Sequence, residues 1–233
     1  MNALPSLTLL ANDLGSDKGN TVFHAHHYTL LYEFLFERWR GEAFSMLEMG
    51  LQRGPGDLNP AILPTRSVSD IPSVKMWASY FPRAHIFGFD ISDFRPFGID
   101  RFTFVRGDMG SVSDLEMITK SLPPLRLIVD DASHAAYHQQ LAFAKLFKMV
   151  ESGGFYIIED LHADHPISGQ LPACKKTMEV VTDFLATGDL DIPFVGDLER
   201  AYAARNIGNI FVHRNNKGGV SDWTMKLVAF QKK

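Results

Sequence analysis

The stretch "LRLIVDDASHAAYHQQ" (residues 125–140) joins a run of apolar residues directly to two acids and a histidine. Continuous apolar runs of this kind are typical of strands that are buried on both faces of a parallel sheet. Asp130, Asp131 and His134 follow the run, and a packed core has no place for polar groups that lack partners. The stretch therefore predicts a buried strand whose carboxyl end carries either paired polar side chains or a functional site.

The same pattern recurs along the chain. Four more short apolar runs, most of which end in acids or glycine, lie at 44–50, 85–92, 102–108 and 154–160. Segments with helical spacing of apolar residues precede or separate the runs, at 21–40, 73–81, 113–122 and 134–154. Strands that alternate with helices predict an α/β fold with a doubly wound, mostly parallel sheet.

The C-terminal part, residues 166–233, departs from this alternation. A helix is predicted at 174–187, where Gly188 gives a stop signal. Two apolar runs follow at 209–215 and 225–233, and a glycine-containing segment separates them. We predict that these two runs form a terminal antiparallel strand pair.

Length and composition favour one globular domain over residues 1–233, with an N-terminal arm and helix at 1–43. The chain has 233 residues, 45% of them hydrophobic, and 23 Lys plus Arg against 27 Asp plus Glu. A net charge of -4 without a dense basic run disfavours nucleic acid as the main partner. Cys174 is the single cysteine, so an internal disulfide is excluded. The sequence shows neither a secretory signal nor a membrane span, and we expect a cytoplasmic protein.

Carboxylates accumulate where the predicted strands end. In an open parallel sheet, ligands bind beyond the carboxyl ends of the strands. The acids at or near these ends are Glu48, Asp90, Asp108, Asp130, Asp131, Glu159 and Asp160. The first turn has glycines at 50, 54 and 56, which would let a ligand approach the backbone, but it does not match the G-x-G-x-x-G of dinucleotide-binding proteins. Asp90 is placed to accept hydrogen bonds from ribose hydroxyls.

The fourth and fifth strands together predict a cation site. If they are neighbours, Asp131 and the pair Glu159–Asp160 lie within reach of one cation. Three carboxylates favour a hard ion such as Mg²⁺. Side chains alternate along a strand, so Asp131 rather than Asp130 is the expected ligand. His134, close by, is the candidate base.

A structural interpretation of the same residues stays open. Asp131 and Ser133 would cap the following helix, and His134 would be a residue of its first turn. Glu159 and Asp160 would then make loop hydrogen bonds. His162 and His165 are open to two interpretations, substrate contacts or solvated loop residues, and the second is favoured. The cluster of His24, His26 and His27 would suggest a transition-metal site, but this is disfavoured because only some pairs would share one face of a helix.

Several motifs together resemble one enzyme family. They are "SDKG" (16–19), "LEMG" (47–50), "MWASYFP" (76–82), "GFDIS" (88–92), "RGDMGS" (106–111), "DDASH" (130–134) and "GGFYIIEDLH" (153–162). The combination resembles the metal-dependent, S-adenosylmethionine-using sugar O-methyltransferases of the macrocin and mycinamicin type. The resemblance implies a class I methyltransferase fold with a seven-stranded sheet.

The resemblance also implies roles for individual residues. Glu48, Gly50, Asp90 and Asp108 would line the S-adenosylmethionine pocket, Asp90 at the ribose and Asp108 near the adenine, and Asp130 is grouped with these cofactor-binding residues. The implied Mg²⁺ ligands are Asp131, Glu159 and Asp160. The implied general base is His134. Ala132 stands where the family usually has glycine. The loop at 57–72 replaces a short link, and we interpret it as a lid, with a surface insertion as the alternative.

The expected activity is Mg²⁺-dependent transfer of a methyl group from S-adenosylmethionine to a hydroxyl of a sugar or glycosylated small molecule. Two alternatives stay open: a phenol or catechol acceptor, and a non-catalytic Rossmann-like protein that binds S-adenosylmethionine or NAD. The glycine spacing and the 40 residues between Gly50 and Asp90 disfavour NAD. We expect a small-molecule acceptor and neither nucleic acid nor membrane as a partner. The oligomeric state is left open, a homo-oligomer included.

Overall fold

Seven strands form one sheet in the computed structural model, which describes residues 5–21, 26–51, 70–95, 97–163, 166–214 and 225–233. The strands are β1 Ser45–Met49, β2 His85–Asp90, β3 Phe102–Arg106, β4 Leu125–Asp130, β5 Val150–Ile158, β6 Ile207–His213 and β7 Leu227–Lys232. Their order is β3-β2-β1-β4-β5-β7-β6. The first five strands in chain order pair in parallel, and β7 is antiparallel to both β5 and β6. The predicted doubly wound, mostly parallel sheet with a C-terminal antiparallel pair is confirmed.

Helices cover both faces of this sheet. They are α1 Leu7–Asp13, α2 Thr29–Phe36, α3 Pro72–Tyr80, α4 Val112–Ser121, α5 Ala136–Leu146, α6 Thr177–Thr187 and α7 Asp197–Asn206. Short 3-10 helices span Glu37–Trp39, Phe147–Met149 and Pro166–Gln170. Strand β4 shows why its apolar run is continuous, because Ile128 packs into the core beside α4 to α7, while Leu127 and Val129 pack into the core beside α1 to α3.

Two predicted helices have different limits in the structure. The helix predicted at 21–40 begins only at Thr29, and His27 before it has a left-handed backbone with φ 59°. The helix predicted at 134–154 begins at Ala136, because His134 is also left-handed at φ 57°, and residues 150–154 belong to β5. Gly154 lies within β5, where a Cβ would come within 2.5 Å of the carbonyl oxygen of Arg126 in the neighbouring strand.

The structure agrees more closely with the prediction for α6, and most of the predicted lid loop cannot be compared with it. Gly188 ends α6 in the left-handed conformation, as predicted, although α6 starts at Thr177 rather than at 174. The sequence did not predict α1 and α7. Of the predicted lid loop at 57–72, residues 57–69 lie outside the described residues. None of the described helices is long and apolar enough to cross a membrane.

Candidate active site at the carboxyl edge of the sheet

The carboxyl ends of β1, β4 and β5 lie side by side. The parallel hydrogen-bonding pattern continues one residue past the strands, since the Asp131 amide donates to the Met49 carbonyl (2.9 Å) and the Glu159 amide donates to the Asp130 carbonyl (2.9 Å). The strand order reverses between β1 and β4, which is where ligands bind in open α/β sheets. The backbone thus brings the acids that follow β4 and β5 to one place, as the sequence predicts.

A buried lysine, which the sequence analysis missed, connects these acids. The Lys18 Nζ lies 2.5 Å from Asp131 Oδ2, 2.7 Å from Glu159 Oε2 and 3.7 Å from Glu48 Oε1. Burial disfavours the charged ammonium, but the three carboxylates outweigh burial and hold the pKa of Lys18 well above its usual value. Lys18 therefore compensates carboxylates from three adjacent strands. The only sequence signal for it is the "SDKG" motif.

The segment that carries Lys18 is held against the start of α2. The Thr29 amide donates to the Lys18 carbonyl (3.1 Å), and the His26 amide donates to the Asp17 carbonyl (2.7 Å). Gly19 packs closely against α1, because a Cβ there would overlap the terminal oxygen of Asn12 and require that side chain to move. These contacts explain how a residue 113 positions before Asp131 reaches it.

Glu159 has partners on both oxygens. Its Oε2 accepts from Lys18, and its Oε1 accepts from the hydroxyl of Tyr32 in α2. Burial, together with the nearby Asp131 carboxylate, raises the pKa of Glu159 well above its usual value, although Lys18 and Tyr32 oppose this rise. Glu159 is predicted as a metal ligand, and it reaches the edge of the sheet already bound by two protein groups.

Asp131, His134 and Asp160 form a group that could hold a metal ion, because one donor atom from each lies within 4.8 Å of the others. The His134 Nε2 lies 3.7 Å from Asp160 Oδ2. Two carboxylates and an imidazole are suitable donors for a divalent cation. The buried His134 Nδ1 has no hydrogen-bond partner among the described residues, while Nε2 is the ring nitrogen that faces Asp160. The donor set therefore fits a divalent cation.

Asp160 is held in place by aromatic side chains. The Tyr28 hydroxyl donates to Asp160 Oδ1 (2.5 Å), and His26 Nδ1 lies 3.3 Å from the same oxygen. Burial acts to raise the pKa of Asp160, but His134, His26 and the Tyr28 hydrogen bond outweigh it and lower the pKa below its usual value. Asp160 also has a left-handed backbone, with φ 52°. A non-glycine residue in this conformation costs free energy, and such residues cluster at functional sites.

The residues predicted to bind a cofactor occupy different positions along the same edge. Gly50 has φ 82°, and a Cβ there would clash with the Asp131 carbonyl, so only glycine allows this close approach. Asp90 is buried and accepts from the amides of Leu51 (3.0 Å) and Ser92 (2.7 Å). These contacts connect the ends of β1 and β2.

The other predicted cofactor residues, Asp108, Asp130 and Glu48, differ from one another in solvent exposure and in hydrogen-bond partners. Asp108 is exposed after β3 and accepts from the Gly110 amide (2.8 Å). Asp130 is buried at the end of β4, and burial raises its pKa to about 7. Glu48 is enclosed by α3, because Ser73 Oγ (3.0 Å) and Trp77 Nε1 (3.2 Å) donate to it. Burial raises the pKa of Glu48 to about 7, and Lys18 opposes this rise.

The strand order and the helices on both faces are those of a class I methyltransferase, and a solved structure agrees. The chain is similar to the MycE methyltransferase from the mycinamycin biosynthetic pathway, whose structure was determined in complex with Mg and SAH. The two are 26% identical with a TM-score of 0.74, and the match covers 99% of this chain and 54% of that one. No protein-family model matches the chain.

Curated relatives are sugar O-methyltransferases. The chain is 38% identical over 136 residues to the 8-demethyl-8-(2-methoxy-alpha-L-rhamnosyl)-tetracenomycin-C 3'-O-methyltransferase of Streptomyces olivaceus, a match that covers 58% of this chain and 32% of that protein. It is 28% identical over 237 residues to the L-olivosyl-oleandolide 3-O-methyltransferase of Streptomyces antibioticus, covering 94% of this chain and 58% of that protein. The chain thus spans 32% and 58% of the length of these two relatives. The resemblance that the sequence motifs predict is confirmed.

Proposed function

We propose that the chain is a divalent-cation-dependent O-methyltransferase that transfers a methyl group from S-adenosylmethionine to a sugar hydroxyl of a glycosylated small molecule. The observation that carries the proposal is the Asp131–His134–Asp160 group at the carboxyl edge of a class I methyltransferase sheet. The similar MycE structure was solved with Mg and SAH, and the names of the curated relatives specify sugar hydroxyls. These names favour a sugar over a phenol or catechol acceptor.

S-adenosylmethionine is proposed to bind along the ends of β1, β2 and β3. Gly50 supports this, because only glycine lets the turn after β1 pack against the Asp131 backbone at the strand-order reversal, where ligands bind in such sheets. Asp90 fixes the two neighbouring loops through the amides of Leu51 and Ser92, and we propose that it contacts the ribose. The cofactor roles of Glu48, Asp108 and Asp130 stay predictions.

We propose Mg²⁺ as the cation, with Asp131, Glu159 and Asp160 as its protein ligands. Asp131 and Asp160 already face each other, whereas Glu159 would have to exchange its contact with Lys18 or Tyr32. A divalent cation supplies Lewis-acid chemistry: it lowers the pKa of an oxygen bound to it. The protein contributes by fixing Asp160 through Tyr28 and Asp131 through Lys18.

His134 is proposed as the general base that removes the proton of the acceptor hydroxyl. Its Nε2 faces Asp160 at 3.7 Å, and about a quarter of its side chain is exposed, so it is accessible from the solvent side of the site. A carboxylate beside an imidazole orients the ring and stabilises the imidazolium that forms when the base takes a proton. No protein nucleophile is required, because the acceptor oxygen attacks the sulfonium methyl group directly.

Calorimetric titration with S-adenosylhomocysteine tests the proposal without knowledge of the acceptor. NAD is the control ligand, and each titration is run with and without Mg²⁺. We expect S-adenosylhomocysteine to bind and NAD not to bind. Binding of NAD alone, or of neither ligand, would overturn the methyltransferase assignment. Glycoside and catechol acceptors, each assayed with and without EDTA, then separate the two acceptor classes.

A single domain over residues 1–233 and a cytoplasmic location stay predictions. The oligomeric state is likewise left open. We infer a small-molecule partner for the site itself, since the proposed acceptor is a glycosylated small molecule.

A further inference from the structure

A buried histidine that the proposed mechanism does not use lies between two turns of the site. His138 is in the first turn of α5, and only 5% of it is exposed. Its Nδ1 lies 2.7 Å from the Ser133 hydroxyl oxygen, and its Nε2 faces Gly110. One imidazole thus lies between the base turn, residues 131–135, and the β3 turn, residues 107–111.

Ser133 connects His138 to the proposed base. The Ala135 amide donates to the Ser133 hydroxyl (3.3 Å), so this side chain closes the base turn around His134. His134 has the left-handed backbone, with φ 57°, that places it beside Asp160. A non-glycine residue keeps this conformation only where its surroundings fix it. By holding the Ser133 side chain, His138 helps to fix the conformation of the proposed base.

His138 also packs tightly against the β3 turn. A Cβ on Gly110 would lie 2.5 Å from His138 Nε2, and the ring has little freedom to move away because it is buried and bonded to Ser133. The Gly110 amide donates to Asp108 Oδ1 (2.8 Å), and the Ser111 amide donates to the Asp108 carbonyl (3.0 Å). The position of Asp108, which is expected near the adenine, therefore depends on how closely this turn packs against His138.

The hydrogen bonds favour one form of the neutral imidazole. The Ser133 hydroxyl already accepts from the Ala135 amide, so its own proton is available for His138 Nδ1. A neutral histidine carries a proton on one ring nitrogen only, so acceptance at Nδ1 leaves the proton on Nε2. In this form Nδ1 is an acceptor towards the base turn, and Nε2 presents an N–H to the β3 turn.

We propose that His138 is a positioning residue that fixes the base turn and the β3 turn relative to each other. Through Nδ1 it fixes the proposed base His134, and through Nε2 it fixes Asp108 on the cofactor side. It acts through these two turns rather than by contact with the reacting groups. This inference rests on the proposed function, because it assigns His138 a part in that site.

Two amide variants separate the two contacts, because each keeps one nitrogen position of the ring. The amide of Asn reaches the Nδ1 position, so His138→Asn keeps an acceptor for Ser133 but loses the contact with the β3 turn. The amide of Gln reaches the Nε2 position, so His138→Gln keeps an N–H donor there but loses the contact with Ser133. A merely structural role for His138 would affect the two variants alike.

The affinity for S-adenosylhomocysteine, measured by calorimetry, reports on the β3 turn. We expect His138→Asn to bind about five-fold more weakly than wild type, as for the loss of one hydrogen bond, and His138→Gln to bind as wild type does. His85→Asn is the matched control, because the His85 Nε2 also lies 2.8 Å from a hydroxyl oxygen, that of Thr103, but at the start of β2. It should bind as wild type does.

The value of kcat with an active acceptor reports on the base turn, and here the order of the variants should reverse. His138→Gln should lower kcat by about 10-fold, because displacement of a reacting group by a fraction of an ångström raises the barrier. His138→Asn should keep kcat. Equal losses in the two variants, in affinity and in kcat, would overturn the proposal.

Gly110→Ala tests the packing against the β3 turn without a cofactor. In the wild-type background the added Cβ meets His138 Nε2, so the free energy of unfolding in urea should fall. In the His138→Asn background the shorter side chain leaves this space open, and the same substitution should cost little. Equal losses in the two backgrounds would contradict the contact.

NMR of protein labelled with ¹⁵N-histidine tests the hydrogen-bond directions. The His138 ring is assigned as the histidine signal that His138→Asn removes. We expect its proton on Nε2 and none on Nδ1. A proton on Nδ1 would overturn the proposed hydrogen bond from Ser133.

The two proposals fail in different ways. If the wild type does not bind S-adenosylhomocysteine, the methyltransferase assignment falls, while the NMR and Gly110→Ala experiments still test the contacts of His138. If the wild type binds S-adenosylhomocysteine and the two amide variants behave alike, the positioning role of His138 falls while the methyltransferase assignment stands.

Discussion

Two regions of the same sheet edge are built from similar residues but differ in how their charges are balanced. We call Lys18, Glu48 and Glu159 the lysine cluster, and Asp131, His134 and Asp160 the metal group. Side chains of the lysine cluster are at most 2% exposed, whereas those of the metal group are 13% to 24% exposed. The lysine cluster contains its own cation, while the metal group leaves donor atoms facing one another. The lysine cluster is therefore closed to solvent, whereas the metal group is accessible to a ligand.

Asp131 connects the two regions. Its Oδ2 accepts from Lys18, while the residue also offers a donor atom to the metal group. Lys18 thereby contacts two proposed cation ligands, Asp131 and Glu159, although it is not itself part of the metal group. Substitutions in the lysine cluster and substitutions in the metal group should therefore have different effects, which separates the roles of the two regions.

The largest effect is expected from Asp160→Asn, which removes a charge from the metal group. Cation-dependent methyl transfer should be abolished, because one of the converging carboxylates is lost, while S-adenosylhomocysteine affinity in calorimetry should be largely unchanged. Asp183→Asn, on the surface in an exposed ion pair with Lys175, is the control. Wild-type turnover that persists in excess EDTA would contradict a role for the cation.

Lys18→Met should cause the largest loss of stability. Removal of one partner from a buried ion pair typically costs about 3–5 kcal/mol, because the remaining charges lose their compensation. Urea unfolding measures the difference. Lys175→Met removes an exposed lysine that pairs with Asp183 and Asp191, and it should change the free energy of unfolding by less than about 1 kcal/mol. Similar losses in the two variants would show that the lysine cluster has no special role.

His134→Ala distinguishes a base from a ligand within the metal group. If His134 is the general base, its removal should lower kcat by about 100-fold. The affinity for Mn²⁺, measured by calorimetry, should be unchanged. Loss of Mn²⁺ affinity in the same variant would assign His134 to the cation instead. An unchanged rate across the pH range would remove it as the base.

Glu48→Gln tests the lysine cluster by the pH dependence of the free energy of unfolding. Burial raises the pKa of Glu48 from 4.5 to about 7, so the folded state holds this proton more tightly than the unfolded state. Ionisation of Glu48 therefore costs stability as pH rises from 4.5 to about 7. Relative to wild type, the free energy of unfolding of Glu48→Gln should rise over this interval, by about 1.4 kcal/mol for each unit of pKa shift. A relative fall with rising pH in urea unfolding would contradict the burial argument.

The sequence predicts the sheet well because its signals are local. Apolar runs buried on both faces identify β1 to β5, and the acids that follow β4 and β5 must meet because parallel neighbours end at the same edge. The left-handed backbone of His134 was not predicted, because nothing in "DDASH" separates it from a first helical turn. This conformation, and not a helical turn, places His134 beside Asp160.

The lysine cluster shows what local patterns cannot predict. Lys18 lies 113 positions before Asp131 and 141 before Glu159, so its contacts depend on the docking of the N-terminal segment. Tyr28 and Tyr32 have the spacing of ordinary core residues in a helix, yet their hydroxyls contact Asp160 and Glu159. Periodicity predicts that these side chains are buried, but it does not predict which polar groups they reach.

Titration of Mn²⁺ into the S-adenosylhomocysteine-saturated protein, compared between wild type and Asp160→Asn by calorimetry, tests the central claim most directly. We expect one Mn²⁺ site per chain in the wild type and its loss in Asp160→Asn. No binding to the wild type, or equal affinity in both proteins, would contradict the assignment of the metal group.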